Sequence, residues 1–147
     1  MSEAETIGSK AREFNTARNY AFILFGLFFW PLLLVAYARS SRARSSEDAR
    51  VCSHAVFQYQ TSSVALVSGG LLLVIFLVMI FGFPPTNALE AAHARMRNIA
   101  LLNVGYIFSL WAAVRSIRGL YLAGARETLS PTWLWTVWPK PAVDVSR

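Results

Sequence analysis

Between Arg50 and Glu90 the chain runs for thirty-nine residues without a formal charge, and its last twenty-two apolar-rich positions, 62–83, suffice for a membrane helix. At 1.5 Å rise per residue that helix is about 33 Å long, against a hydrocarbon core of about 30 Å. A membrane setting is therefore the first expectation. The beginning of the same run is different in kind: Cys52, Ser53, His54, Gln58, Gln60 and Thr61 are polar but uncharged.

Composition points the same way. The chain is 55% hydrophobic and only 15% charged, with a mean hydropathy of +0.42, whereas a soluble domain carries about 25% charged residues. The net charge of +6 does not argue for nucleic acid, because the arginines sit in short clusters beside apolar runs, where they orient helices. Cys52 is the single cysteine, so no internal disulfide is available.

Three spans are expected, and with them a small all-α membrane bundle forming one domain. An N-terminal tail, 1–18, precedes a first span at 19–38, uncharged and interrupted by Pro31, which a membrane helix tolerates as a kink. Its end, Ala36-Tyr37-Ala38, has a signal-peptidase pattern, so cleavage stays open, although the run is long for a signal core and contains Trp30. A basic loop and amphipathic segment, 39–61, lead into the second span, 62–83. An outer connection, 84–97, separates it from a third span at 98–114, and a Trp-rich tail occupies 115–147. Ser45 followed by Asp48 predicts a capped helix start near Glu47, and Asn87 followed by Glu90 predicts another before the third span.

With three spans, Arg39, Arg42, Arg44, Arg50, Arg115, Arg118 and Arg126 fall on one side, and Lys10, Arg12, Arg18, Arg95 and Arg97 on the other. The excess predicts an outside N-terminus and a cytoplasmic C-terminus. Trp133, Trp135 and Trp138 then read as interfacial aromatics.

Helical spacing puts His54, Gln58, Thr61, Ala65 and Gly69 on one face of the second helix, and Gly105, Ser109, Ala112 and Gly119 on one face of the third. Small residues let membrane helices approach closely, so these stripes are expected to face each other. That packing brings His54, Gln58 and Thr61 near Trp111, Arg115 and Arg118 as a polar clasp, with Gln58 accepting from an arginine and Arg115 over Trp111. A structural clasp and a contact with anionic headgroups remain two open readings of the cluster.

Reactive chemistry is harder to find. His54 and His93 are expected on opposite membrane faces, which leaves no ligand set for a metal, and no cofactor is expected. There is no G-x-S-x-G elbow, H-E-x-x-H pair or phosphate loop, and no partner is placed to activate Ser109.

The series His54, Phe57, Gln58, Gln60 and Thr61, then Trp111, Arg115, Arg118 and Gly119, then Pro131-Thr132-Trp133-Leu134 resembles an uncharacterised family of small bacterial polytopic membrane proteins. That family is distantly similar to the chloroplast inner-envelope protein-import translocon component. The resemblance spans about 19–134 and implies a bacterial inner-membrane setting, with no catalytic residues to carry over. The chain departs from it in a longer outer connection and an extended Trp-rich tail.

The expected function is thus a non-enzymatic accessory subunit, scaffold or assembly factor whose partners are the lipid bilayer and other membrane subunits. The alternative is a transport or protein-translocation element with a vestibule at the cytoplasmic leaflet.

Overall fold

The computed structural model describes residues 3–142, with side chains from Asn15 onward. Four helices follow one another: α1 (Glu3–Gly26), α2 (Trp30–Ala43), α3 (Ala49–Gly82) and α4 (Ala88–Gly124). Among the described residues the extended backbone is limited to one isolated antiparallel bridge, Leu129 with Pro141.

Among the described residues two helices, not three, are long and apolar enough to cross a membrane: α3 and α4. At 34 and 37 residues they are about 51 and 56 Å long, so each extends well past a hydrocarbon core. They pack antiparallel, with Arg115 against Thr61 and Gly105 beside Leu72. Asp48 caps α3 by accepting from the amides of Arg50 and Val51 at 3.0 and 3.3 Å. The cap is therefore Asp48 itself, while Ser45 donates instead to the Arg42 carbonyl. At α4 the expected reciprocal cap forms: Asn87 Oδ1 accepts from the Glu90 amide at 2.9 Å, and Glu90 Oε1 accepts from Asn87 Nδ2 at 3.0 Å.

The expected first span, 19–38, is not one kinked helix. The chain reverses at 27–29, and α1 and α2 lie side by side as an antiparallel hairpin: Asn19 Nδ2 donates to the Ala36 carbonyl at 3.2 Å and Arg39 Nη2 to Asn15 Oδ1 at 3.4 Å. Two residues permit the reversal. A β-carbon on Gly26 would meet Leu33 backbone nitrogen at 2.7 Å, so the two helices touch there through backbone. Pro31 sits in the first turn of α2, where no helical partner exists for its missing amide proton. Phe25, Phe28 and Phe29 stand at the tip, largely exposed.

The hairpin brings α1 into the groove between α3 and α4. Tyr20 reaches His54 of α3 and lies against Gly119 of α4, so α1 approaches at the same end of the bundle as the segment after α4. This differs from the three-span expectation, which put the two at opposite ends. α4 also continues to Gly124, ten residues beyond the expected third span, and the tail proper then folds back over the bundle end. There, amides of Ser130 and Ala142 donate to the carbonyls of Lys140 and Thr128 at 3.0 and 2.7 Å.

Burial is distributed in an unusual way. The buried residues of α3 fall between His54 and Ala65, and those of α4 between Ala112 and Leu122. Within the most apolar windows of the two helices only 6% and 17% of positions are buried. A water-soluble bundle buries its most apolar stretches; here those stretches face outward and the polar end is packed.

Candidate functional site

The packed end is organised around Arg115, whose side chain is fully buried. Its Nε donates to Thr61 Oγ1 at 3.0 Å, its Nη2 to Gln60 Oε1 at 3.2 Å, and its Nη1 to the carbonyls of Leu134, at 2.7 Å, and Thr136. The guanidinium carbon lies 4.1 Å from the Phe57 ring centroid and 4.8 Å from that of Trp111. No carboxylate of the described residues is among its contacts. Carbonyl and hydroxyl dipoles with two aromatic faces stabilise the cation, which is an effective arrangement only when the acceptors are held rigidly. Thr61 is so held: its hydroxyl donates to the Phe57 carbonyl one turn back at 2.8 Å while accepting from Arg115.

A second layer links α1 to α3 and the tail. His54 Nε2 lies 3.0 Å from the Glu127 carbonyl and Nδ1 lies 2.9 Å from the Tyr20 hydroxyl. A carbonyl only accepts, so Nε2 carries the proton and the tyrosine hydroxyl donates to Nδ1, which assigns His54 to its neutral Nε2–H tautomer. Gln58 Oε1 accepts from Asn19 Nδ2 at 2.8 Å, and its Nε2 donates to the Thr16 carbonyl at 2.9 Å. Gln60 Nε2 adds a bond to the Thr132 carbonyl at 3.3 Å.

The expected clasp is therefore divided. Thr61, Trp111 and Arg115 come together as anticipated from the sequence. His54 and Gln58 face α1 instead, because the hairpin inserts Tyr20 and Asn19 where an arginine was expected, and Gln60, not Gln58, accepts from Arg115. Arg118 lies outside the polar core: it stacks over Tyr121 and Trp138 at 5.3 and 4.8 Å and donates to the Pro139 carbonyl at 3.4 Å. Asn19, Tyr20, Phe57 and the tail carbonyls are the partners that sequence reasoning missed. Asn19-Tyr20 at the head of an apolar run was the one available signal.

The small-residue stripes are likewise shared among three neighbours. Ala65 and Ala112 are buried in the core, and a β-carbon on Gly105 would lie 3.7 Å from the Leu72 side chain of α3. A β-carbon on Gly69 would lie 3.4 Å from the Trp30 indole nitrogen, and one on Gly119 would run into Tyr20. Deeper along the pair, Leu27, Trp30, Gly69, Leu72, Gly105 and Ser109 border an apolar cleft of about 400 Å³.

Of the tail tryptophans, Trp135 leans on Trp111 with ring centroids 5.9 Å apart, while Trp133 and Trp138 are largely exposed. His93 is exposed near the opposite end of α4. Among the described residues, no three His, Cys, Asp or Glu side chains gather in a way that would hold a metal ion.

These features define an all-helical protein with two helices of membrane-crossing length, a buried arginine in a polar core, and a helical hairpin between them. No family model, curated protein or solved structure matches the chain.

Proposed function

We propose that this is a non-enzymatic integral membrane protein of a bacterial inner membrane, serving as an accessory or assembly subunit that receives a transmembrane helix of a partner in the apolar cleft. In this reading α3 and α4 cross the bilayer, and the α1–α2 hairpin enters from one side only and turns back near mid-membrane. The outward-facing apolar windows of both long helices support the membrane setting.

The two-crossing reading also alters the charge balance. The segments at the polar end carry Lys10, Arg12, Arg18, Arg39, Arg42, Arg44, Arg50, Arg118 and Arg126, against Arg95 and Arg97 at the other. Positive charge marks the cytoplasmic side. Both the N-terminal end of α1 and the tail are then cytoplasmic, in place of the outside N-terminus expected from three spans.

The single observation that carries the docking role is the cleft itself, where Gly69, Gly105 and Ser109 line the wall beside Trp30 with little or no side chain. Glycine and serine let another helix backbone approach and offer it hydroxyl contacts, neither of which an acyl chain requires. Transport has less support: His54, Gln58, Thr61 and Arg115 are at most 3% exposed and are bonded to one another, to α1 or to the tail. A photocrosslinking residue at Ser109 or Gly105, in native membranes, is expected to give one discrete protein adduct. Ile117, exposed on the same helix, is expected not to give it. Lipid adducts alone, or the same pattern from all three positions, would overturn the docking role.

A further inference from the structure

A second cavity, about 250 Å³, opens between α1, α2 and the start of α3, bordered by Asn15, Asn19, Arg39, Ser46, Val51 and Gln58. Among the described residues that border it, Arg39 carries the one formal charge. Arg39 finds one hydrogen-bond acceptor, Asn15 Oδ1 at 3.4 Å, and the same oxygen accepts from Arg18 Nη2 at 2.8 Å. Both guanidiniums also flank the Phe22 ring, at 5.5 and 6.0 Å from its centroid. Among the described residues Arg39 Nε finds no hydrogen-bond partner, and none of the described side chains that border the cavity is a carboxylate. Desolvation, and secondly the charge of Arg18, hold the Arg39 pKa below its ordinary value, the signature of a cation that gains from an added anion.

The depth of the cavity identifies the source of that anion. Eleven residues of helix separate Asn15 from Gly26 at the hairpin turn, or about 16 Å, and half of a hydrocarbon core is about 15 Å. A hairpin that turns at mid-membrane therefore places Arg39 and Asn15 at the level of the phosphates. We infer that this cavity seats the phosphate of an anionic phospholipid in the cytoplasmic leaflet, with Arg39 as the donor. A headgroup bearing its own cation is disfavoured beside that guanidinium, so phosphatidylglycerol is preferred over phosphatidylcholine.

The inference rests on the membrane reading above, which a separate carbonate wash of native membranes tests: retention of the chain in the pellet supports that reading whatever the lipid result. For the site, the full chain is purified in mild detergent, delipidated, and offered phosphatidylglycerol or phosphatidylcholine at equal mole fraction, with bound lipid counted by native mass spectrometry. Wild type is expected to retain phosphatidylglycerol over phosphatidylcholine by about tenfold, a difference of about 1.4 kcal/mol. Arg39→Gln is expected to abolish the preference. Arg42→Gln, an exposed arginine of the same helix, is expected to keep it, and Arg39→Lys is expected to keep most of it, which separates loss of charge from loss of fold. Equal retention of the two lipids, or equal loss in the Arg39→Gln and Arg42→Gln variants, overturns the site. Displacement by equimolar inorganic phosphate overturns its assignment to lipid.

Discussion

Gly119 and Tyr20 occupy adjoining space with no room to spare: a β-carbon on Gly119 would lie 2.5 Å from the tyrosine ring and 2.6 Å from its hydroxyl oxygen. Glycine at this point of α4 is what admits α1 into the groove, and through it the Tyr20 to His54 hydrogen bond. The ring is fully buried and cannot swing aside as a flexible side chain would. Gly119→Ala is therefore expected to destabilise the fold by about 1–3 kcal/mol, the usual cost of overpacking a close-packed site. Thermal melting in detergent checks this. Adding Tyr20→Leu to Gly119→Ala should recover part of the loss relative to the sum of the two single variants, since the smaller side chain removes the clash. Strict additivity would show that the two residues do not compete for this space.

Arg115 joins four bundle or tail acceptors, so its replacement has consequences beyond its own charge. Arg115→Met keeps much of the volume but leaves the Leu134 and Thr136 carbonyls and the Gln60 amide oxygen without their donor. A loss of about 3 kcal/mol or more is expected, since each buried acceptor left without its donor costs about 1–3 kcal/mol. Arg115→Lys keeps the charge but cannot reproduce the planar fork, and should rescue only part of it. Limited proteolysis locates the effect: both variants should become sensitive to cleavage between Glu127 and Trp138, because the tail is tied to the bundle through this side chain. An unchanged tail cleavage rate would separate Arg115 from tail docking.

How much of this was legible in the sequence depends on the distance over which each feature is decided. The charge-free run anticipated most of α3, and the Asn87 and Glu90 pair anticipated the start of α4, since both signals are local. Trp111 and Arg115 lie one turn apart, so their stacking was also readable. The hairpin was not. Gly26 and Pro31 within an apolar run fit a kinked span as well as a reversal, and the choice depends on Asn19 and Tyr20 finding Gln58 and His54, 39 and 34 residues away. The misassigned glutamine has a similar cause: Gln58 and Gln60 are two residues apart, about 200° around a helix, so once α1 takes the Gln58 face, only the Gln60 face is left for Arg115.

The His54 tautomer gives a sharper test of the α1 contact. Tyr20→Phe removes the donor to Nδ1 and leaves a buried acceptor unmatched, at about 1–3 kcal/mol. His54→Phe removes the other half and also frees the Glu127 carbonyl. A double-mutant cycle on melting stability should show a coupling of at least about 0.5 kcal/mol, as for residues in direct contact. Nitrogen-15 shifts of His54 in the wild type should report a protonated Nε2 and an unprotonated Nδ1. A protonated Nδ1 with an unprotonated Nε2 would mean that the tyrosine accepts and that the hydrogen bond to Glu127 is lost.

The sidedness of the chain follows from the hairpin more directly than from charge. If α1 and α2 turn back within the bilayer, a reporter placed ahead of Met1 and one placed after Arg147 are on the same side, and one inserted between Phe83 and Asn87 is on the other. Fluorescent and alkaline phosphatase reporters at the three sites should give fluorescence without phosphatase activity at both ends and phosphatase activity in the connection. Three crossings would instead give phosphatase activity at the N-terminus and fluorescence at the C-terminus, with the connection again outside the cytoplasm. Replacing the reversal by Gly26→Leu with Pro31→Leu tests the cause: the double variant removes the close backbone contact with Leu33 and restores an amide donor, favouring one continuous helix. Conversion of the N-terminal reporter to phosphatase activity in that variant alone would show that these two residues hold the hairpin. An unchanged pattern would place the determinant in the Asn19 and Tyr20 hydrogen bonds.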